Sequence, residues 1–305
     1  MNIGILLPAE KKWWKPVTHK TYSIEVAENL NLMVCLLPVN DITNHRKHRL
    51  TPRHTCNHRG WGDLFSRCDD SGTMRIQSLR KRYKAKIDRI IEELNIWPIL
   101  GHPDISSFYQ VDTSVFSRAV KELAIHRFDE VLKAIKGVGA LIKKEILVTG
   151  SSEYLEHAIE ILITKVKTVN ILIPEGVNEP VEAEKAFLET GIPVHITTDC
   201  SVINRTAIWI RFPYDHESFD NLPRNFKGII VDFGAMKIID TKARKVFNIG
   251  IDFSDKIKRR LGQQLLSTWE KNVLEGFIIL ACANAWDINE PEVFKRLDLR
   301  FSFIS

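Results

Sequence analysis

Short apolar runs alternate with segments of helical periodicity in the second half of the chain. Residues 146–148 and 169–173 are apolar throughout, which is typical of strands buried on both faces of a sheet. Between them, apolar residues recur at the spacing of an amphipathic helix: Leu155, Ile159, Leu162, Ile163 and Val166. A strand, a turn at Gly150, a helix and a second strand predict a βαβ unit with parallel strands.

The alternation continues along the chain. A helix is predicted at residues 180–190, and further strands at 194–197, 207–211 and 229–232. Strands that alternate with helices at this spacing indicate a doubly wound parallel sheet. The predicted fold class is therefore α/β, with a Rossmann-like doubly wound sheet and an additional N-terminal α/β domain.

The N-terminal part also alternates between element types. Residues 3–7 and 32–37 have the pattern of strands, and residues 23–29 between them have a helical pattern. Helical periodicity returns at residues 108–136, before two glycines, and at residues 255–285, where it predicts one long helix.

These patterns divide the chain into three parts. We expect an N-terminal α/β domain over residues 1–137, which includes a basic loop and helix at 45–94. A Rossmann-like domain follows over residues 138–254. Residues 255–305 are expected to contain a C-terminal helix that returns to the N-terminal domain.

Composition narrows the class of protein. With 305 residues and 44% hydrophobic positions, the chain can bury a substantial core. It has no run of about eighteen uncharged apolar residues, so no membrane span is predicted. The five cysteines are odd in number and scattered, unlike a secreted disulfide framework. A reduced, cytoplasmic protein is expected.

Positive charge is concentrated in one segment. Residues 45–89 contain thirteen Lys and Arg against four acidic residues, whereas the whole chain has a formal net charge of only +5. Clustered cations attract phosphates, and Trp61, Phe65 and Tyr83 are aromatic residues that can stack on bases. The segment predicts either a nucleic-acid or acidic-partner interface, or a solvated loop and helix face.

The same segment holds the side chains with metal-ligand chemistry. They are His54, Cys56, His58 and Cys68. Their spacing is not that of a standard zinc motif, which usually has two short paired spacings. The alternatives are a zinc site folded from the loop and a basic loop without a metal.

Candidate ligand-binding residues lie where the predicted parallel strands end. In a Rossmann domain, the glycine turn and helix N-terminus hold a pyrophosphate, and an acid after the second strand meets the ribose. Gly150, Ser151 and Ser152 lie at the turn, and Glu175 follows the second strand, where the alternative is a solvated turn acid. Asp199 and Gly234 follow later strands at the same edge; Gly234 lies where a nicotinamide would be approached, or in a turn that needs a positive φ. Glu153 and Glu156 occupy the later glycine positions of the fingerprint, where carboxylates repel phosphate. The predicted cofactor is NAD or NADP, or another anionic ligand.

One cysteine is predicted near the same edge. Cys200 follows the strand at 194–197, and His195 lies on that strand. The pair could form a nucleophile and its base, but a separation of five residues does not imply that they meet. The alternative is a buried structural cysteine. No catalytic residue is assigned.

The order of elements, with Gly150 in the turn and Val231-Asp232-Phe233-Gly234 at a strand end, resembles a known superfamily. It is similar to that of shikimate dehydrogenase and glutamyl-tRNA reductase, with the long-chain acyl-ACP reductases as the nearest members. The resemblance implies a dinucleotide at the glycine turn, to which Gly150 corresponds. The cysteine nucleophile of the thioester reductases has no counterpart in residues 266–270.

Two functional hypotheses follow from the sequence. The first is an NAD(P)-binding oxidoreductase-like protein, or a catalytically degenerate descendant of one. The second is a noncatalytic protein that binds nucleic acid or an acidic partner through residues 45–89.

Overall fold

The computed structural model describes residues 1–8, 20–37, 84–85, 87–105, 112–214, 226–234 and 243–303. The chain divides into two compact units. The first comprises residues 1–117 and 253–298, and the second comprises residues 118–252 and 299–305. The three-part division expected from the sequence stays a prediction.

The first unit contains a four-stranded sheet. Its strands are β1 (Asn2–Pro8), β2 (Lys20–Ala27), β3 (Leu30–Leu37) and β4 (Ile96–Gly101), in the spatial order β2-β3-β1-β4. β1 is parallel to β3 and β4, and β2 is antiparallel to β3. A helix, α1, covers residues 87–94, and its apolar face packs on this sheet through Ile87 and Ile90.

The helix predicted at residues 23–29 is wrong. These residues belong to β2 and to the two-residue turn that joins it to β3. Asn29 adopts a positive φ of 61°, a conformation that Asn tolerates and that tight hairpin turns require. The pairing of β2 with β3 therefore overrides the local helical pattern.

The second unit is built on a six-stranded, wholly parallel sheet. Its strands are β5 (Glu145–Thr149), β6 (Thr168–Leu172), β7 (Val194–Thr197), β8 (Ile208–Arg211), β9 (Ile229–Asp232) and β10 (Arg244–Val246). The spatial order is β10-β9-β8-β5-β6-β7. Counted from the other edge, this is the 3-2-1-4-5-6 order of a Rossmann fold. The predicted α/β fold class is confirmed.

Further helices and one strand pair accompany these sheets. Helix α2 (Ser114–His126) spans the limit between the units, and α3 (Phe128–Ala134) follows it. In the second unit, α4 (Ser152–Leu162) connects β5 to β6, and α5 (Glu182–Thr190) precedes β7. The strands β11 (Ile249–Asp252) and β12 (Arg300–Phe303) pair antiparallel. The βαβ unit expected from residue 145 onwards is therefore present.

The single helix predicted at residues 255–285 is wrong, because the chain is kinked at Gly262, where φ is 76°, and leaves the helical path again after Leu266. The helices are α6 (Asp255–Leu266), α7 (Val273–Trp286) and α8 (Glu290–Arg296). In the break, Trp269 leaves the helical path and donates its indole N–H to the Gly101 carbonyl at 3.0 Å, and Asn272 has a positive φ of 76°. No helix in the described part of the chain is long and apolar enough to cross a membrane.

Candidate functional site

The carboxyl ends of the parallel strands place the predicted ligand-binding residues along one edge of the sheet. They are Gly150, Ser151 and Ser152 after β5, Glu175 after β6, Asp199 after β7 and Gly234 after β9. The strand order reverses between β5 and β8, and a Rossmann fold leaves its ligand crevice at this switch point. We call the ends of β6 and β7 the outer half of this edge, and the ends of β8 and β9 its inner half.

The glycine turn is packed against the neighbouring strand end. A Cβ atom on Gly150 would lie 2.7 Å from the Cβ atom of Phe212, the residue that follows β8. The Ser151 amide donates to the Pro213 carbonyl at 3.2 Å, and this bond bridges the switch point. Glycine is therefore needed at position 150 because Phe212 lies against it, and one amide that could meet a phosphate is already bonded.

Four aromatic side chains fill the inner half, and we call them the aromatic plug: Phe128, Tyr154, Phe212 and Phe233. Phe212 stacks on Tyr154 and Phe233 with ring centroids 5.7 and 5.4 Å apart, and meets Phe128 edge-on at 5.4 Å. Phe212 and Phe233 are each only 2% exposed. Phe212 and Phe233 directly follow β8 and β9, so the plug adjoins the ends of these two strands.

A buried ion pair lies in the strands directly before the plug. Arg211 ends β8 and Asp232 ends β9, and these two positions are register partners. The Arg211 Nη1 and Asp232 Oδ2 atoms are 3.6 Å apart, and both side chains are almost fully buried. Burial raises the pKa of Asp232, although Arg211, the Gly234 amide and Lys121 act in the opposite direction. Arg211 and Asp232 directly precede Phe212 and Phe233 along the chain, and the Arg211 guanidinium lies 5.3 Å from the ring centroid of Trp209, the residue two positions earlier on β8.

Neither the plug nor the ion pair is among the residues predicted from the sequence. A usable signal was nevertheless present. Arg211-Phe212 and Asp232-Phe233 place opposite charges, each followed by phenylalanine, at the ends of two neighbouring predicted strands. Parallel strands in register bring such equivalent positions side by side.

The polar residues at the inner and outer edges have different surroundings. The Gly234 amide donates to Asp232 Oδ1 at 2.9 Å, so it completes the turn after β9. Glu175 is exposed beyond β6. Asp199 accepts from the Ser201 amide at 2.8 Å and from the Ser201 hydroxyl, and these hydrogen bonds lower the pKa of Asp199. Asp199 therefore caps the short helical turn that follows β7.

Acidic residues lie along the first turns of α4. Glu153 is exposed in the first turn, and Glu156 is half-buried one turn later. Burial raises the pKa of Glu156, and the carboxylates of Glu182 and Glu160 add to the effect. The Ser151 hydroxyl makes no capping bond to α4. The helix N-terminus thus offers hydroxyls and amides but also carries negative charge.

The described cysteines are free thiols with contrasting environments. Cys200 is exposed, so the expectation that it would be a buried structural cysteine is wrong. His195 is also exposed, on β7. Cys35 and Cys282 are buried, and burial raises the pKa of these thiols to about 11 and about 12. Neither buried thiol has the thiolate character of a nucleophile.

The predicted metal candidates His54, Cys56, His58 and Cys68 lie outside the described residues, as does most of the basic segment 45–89. Within the described ranges, no group of three or more His, Cys, Asp or Glu side chains is arranged to hold a metal ion. Zinc binding and the nucleic-acid or acidic-partner interface both stay predictions.

Comparison with known proteins gives weak structural similarities. No protein-family model matches the chain, and no curated protein matches its sequence. Among solved structures, D-lactate dehydrogenase from Lactobacillus jensenii with NAD+ is 10% identical, with a TM-score of 0.30 and coverage of 95% of this chain and 98% of that one. L-tryptophan dehydrogenase from Nostoc punctiforme is 11% identical, with a TM-score of 0.30 and coverage of 88% and 65%.

Another similar structure belongs to a different class of enzyme. Anabolic ornithine carbamoyltransferase from Campylobacter jejuni is 10% identical, with a TM-score of 0.28 and coverage of 61% of this chain and 62% of that one. The chain spans less than two thirds of the tryptophan dehydrogenase and of the carbamoyltransferase. Similarities this weak assign no activity, and the Rossmann-like fold is identified by its strand order.

Proposed function

We propose that this chain is a Rossmann-type nucleotide-binding protein that accepts the adenosine and phosphate part of NAD or NADP and has lost hydride transfer. The supporting observation is the contrast between the two halves of the sheet edge. The outer half is polar and exposed, whereas the aromatic plug fills the inner half. The chain would then be a catalytically degenerate relative of NAD(P)-dependent oxidoreductases.

The outer half has the groups that an adenosine phosphate requires. Glu175 is exposed after β6, where a carboxylate accepts hydrogen bonds from ribose hydroxyls in NAD-binding Rossmann folds. Ser151 and Ser152 would supply hydroxyl donors to a phosphate at the positive end of α4. Asp199 would lie beside the ligand at the end of β7. Both of its carboxylate oxygens already accept hydrogen bonds from Ser201. Gly234 lies on the inner half, so its predicted contact requires the plug to move.

The inner half does not fit a nicotinamide. Hydride transfer needs the nicotinamide ring to lie beside a substrate at the ends of the later strands, and Phe212 and Phe233 are buried there. Arg211 and Asp232, which directly precede these rings along the chain, are buried and paired with each other. These observations support binding of the adenosine portion of the dinucleotide without its redox portion.

Binding measurements with parts of the cofactor test this proposal. ADP-ribose contains the adenosine and both phosphates of NAD but has no nicotinamide, whereas nicotinamide mononucleotide has no adenosine. We expect ADP-ribose to bind within about threefold of the affinity of NAD, and nicotinamide mononucleotide not to bind. Nicotinamide contacts worth about 1.4 kcal/mol would instead make NAD tenfold tighter.

Variants at one strand end localise the ligand. Glu175→Ala should weaken ADP-ribose about tenfold, because it removes a charge-assisted hydrogen bond. Glu179→Ala is the matched control, since Glu179 is another exposed acid in the same connection. Absence of ADP-ribose and NAD binding at millimolar concentration would overturn the proposal. Equal effects of the two variants would show that the ligand does not contact Glu175 at the end of β6.

A further inference from the structure

The outward face of α5 carries two large apolar side chains that the second unit does not cover. Val181, which caps this helix, is 79% exposed, and Leu188 is 75% exposed. At 100° per residue, these positions and the exposed Glu184 and Lys185 form one stripe. The buried Ala183 and Ala186 lie on the opposite face. Apolar groups therefore occupy the positions that point farthest from the core.

The stripe is complementary to itself under a two-fold rotation. An axis that passes between Glu184 and Lys185, perpendicular to α5, brings Val181 opposite Leu188 of a second copy. The same axis brings Glu184 opposite Lys185 of that copy. Apolar residues thus meet at both ends, and opposite charges meet twice in the middle. This is the pattern of an isologous interface, in which one surface recognises itself.

The neighbouring edge of the sheet extends this surface. A nine-residue helix is about 14 Å long, which is too short to supply the roughly 800 Å² per partner of a stable interface. β7 is the edge strand beside α5, and its Val194 and Ile196 side chains are only half-buried. Phe187, which is 52% exposed, flanks the stripe. An edge strand also has backbone groups available for a partner.

We propose that α5 and β7 form the interface of a homodimer, with two α5 helices packed antiparallel across the two-fold axis. The inference goes beyond nucleotide binding and does not depend on it. A second copy of the chain is favoured over an unrelated partner because two antiparallel copies of the stripe place Glu184 of each copy opposite Lys185 of the other.

Sedimentation velocity of the full chain, across about 1–100 μM, tests the dimer. The unaltered chain should sediment as a dimer in the upper part of this range. Leu188→Glu should be monomeric throughout, because each dimer would bury two unpaired carboxylates. Ile142→Glu is the matched control: Ile142 is 65% exposed in the same unit but lies outside α5 and β7, so this variant should remain dimeric.

Charge reversal tests the predicted pairing directly. Glu184→Lys and Lys185→Glu should each raise the dissociation constant of the dimer about tenfold or more, because like charges then face each other twice. The double variant restores opposite charges and should return to within about threefold of the unaltered chain. Circular dichroism should confirm that every variant is folded. A monomeric unaltered chain, or a dimer insensitive to Leu188→Glu, would overturn the proposal.

Discussion

Replacing the central ring of the aromatic plug should strongly destabilise the second unit. Phe212 is 2% exposed and contacts three other rings, so Phe212→Ala would leave a cavity bounded by Phe128, Tyr154 and Phe233. Truncation of a buried phenylalanine destabilises a protein by about 3–5 kcal/mol. The stacked and edge-on pairs favour the upper part of that range, because each contributes about 0.5–1.5 kcal/mol beyond burial. Some of that contribution is already included in the truncation value, so we expect about 4 kcal/mol.

Equilibrium unfolding in urea, followed by circular dichroism, measures this loss. With an m-value of about 3 kcal/mol per molar urea, the midpoint should fall by about 1.3 M. Phe247→Ala is the matched control, because Phe247 is 57% exposed in the same unit and should change stability by less than about 0.5 kcal/mol. A loss below about 1 kcal/mol for Phe212→Ala would refute the packing of the plug.

Two further predictions concern charges in the second unit. Asp232→Ala should destabilise the chain by about 3–5 kcal/mol in urea unfolding because it removes one partner of a buried ion pair, whereas Arg211→Met with Asp232→Leu should recover most of that loss; equal destabilisation by the single and double variants would contradict this. The pKa of Glu156 is raised, so its carboxyl group binds a proton more tightly in the folded chain than in the unfolded chain. The free energy of unfolding therefore falls as the pH rises through and above 4.5, the ordinary pKa of a glutamate. Glu156→Gln should therefore stabilise the chain by about 0.5 kcal/mol at neutral pH. In thermal melts at a series of pH values, this gain should disappear well below pH 4.5. A stability difference that does not change with pH would contradict the prediction.

The fold of the second unit could be predicted because its signals are local. Runs such as residues 146–148 and 169–173 are apolar on both faces, and the helix between them has a clear 3.6-residue period. Short connections and right-handed crossovers then restrict the strand order to a few arrangements. The sequence alone therefore predicts that the carboxyl ends of these strands lie along one edge of the sheet.

The misassigned segments show where local signals fail. Residues 23–27 form a strand because β3 provides a partner through a tight turn that ends at Asn29. Residues 255–285 keep their periodicity across a break, because Trp269 contributes to packing against β4 instead of continuing the helix. Periodicity identifies the buried face of a segment but does not reveal whether the backbone stays continuous.

The candidate site was only partly predictable for a related reason. Gly150 and Glu175 could be placed at the sheet edge from their positions after predicted strands. The role of Gly150 as a contact for Phe212 depends on the distance between β5 and β8, which no local pattern contains. The Arg211–Asp232 pair likewise depends on the register of two strands.

Fluorescence emission of NADH at saturating protein tests the central claim most directly, with binding verified by competition against ADP-ribose. If the adenosine part binds in the outer half while the aromatic plug excludes the nicotinamide, the bound cofactor should keep the emission wavelength of free NADH, because its ring stays in water. An enhanced, blue-shifted emission would show that the ring is sequestered from water. That result would contradict the loss of the nicotinamide site.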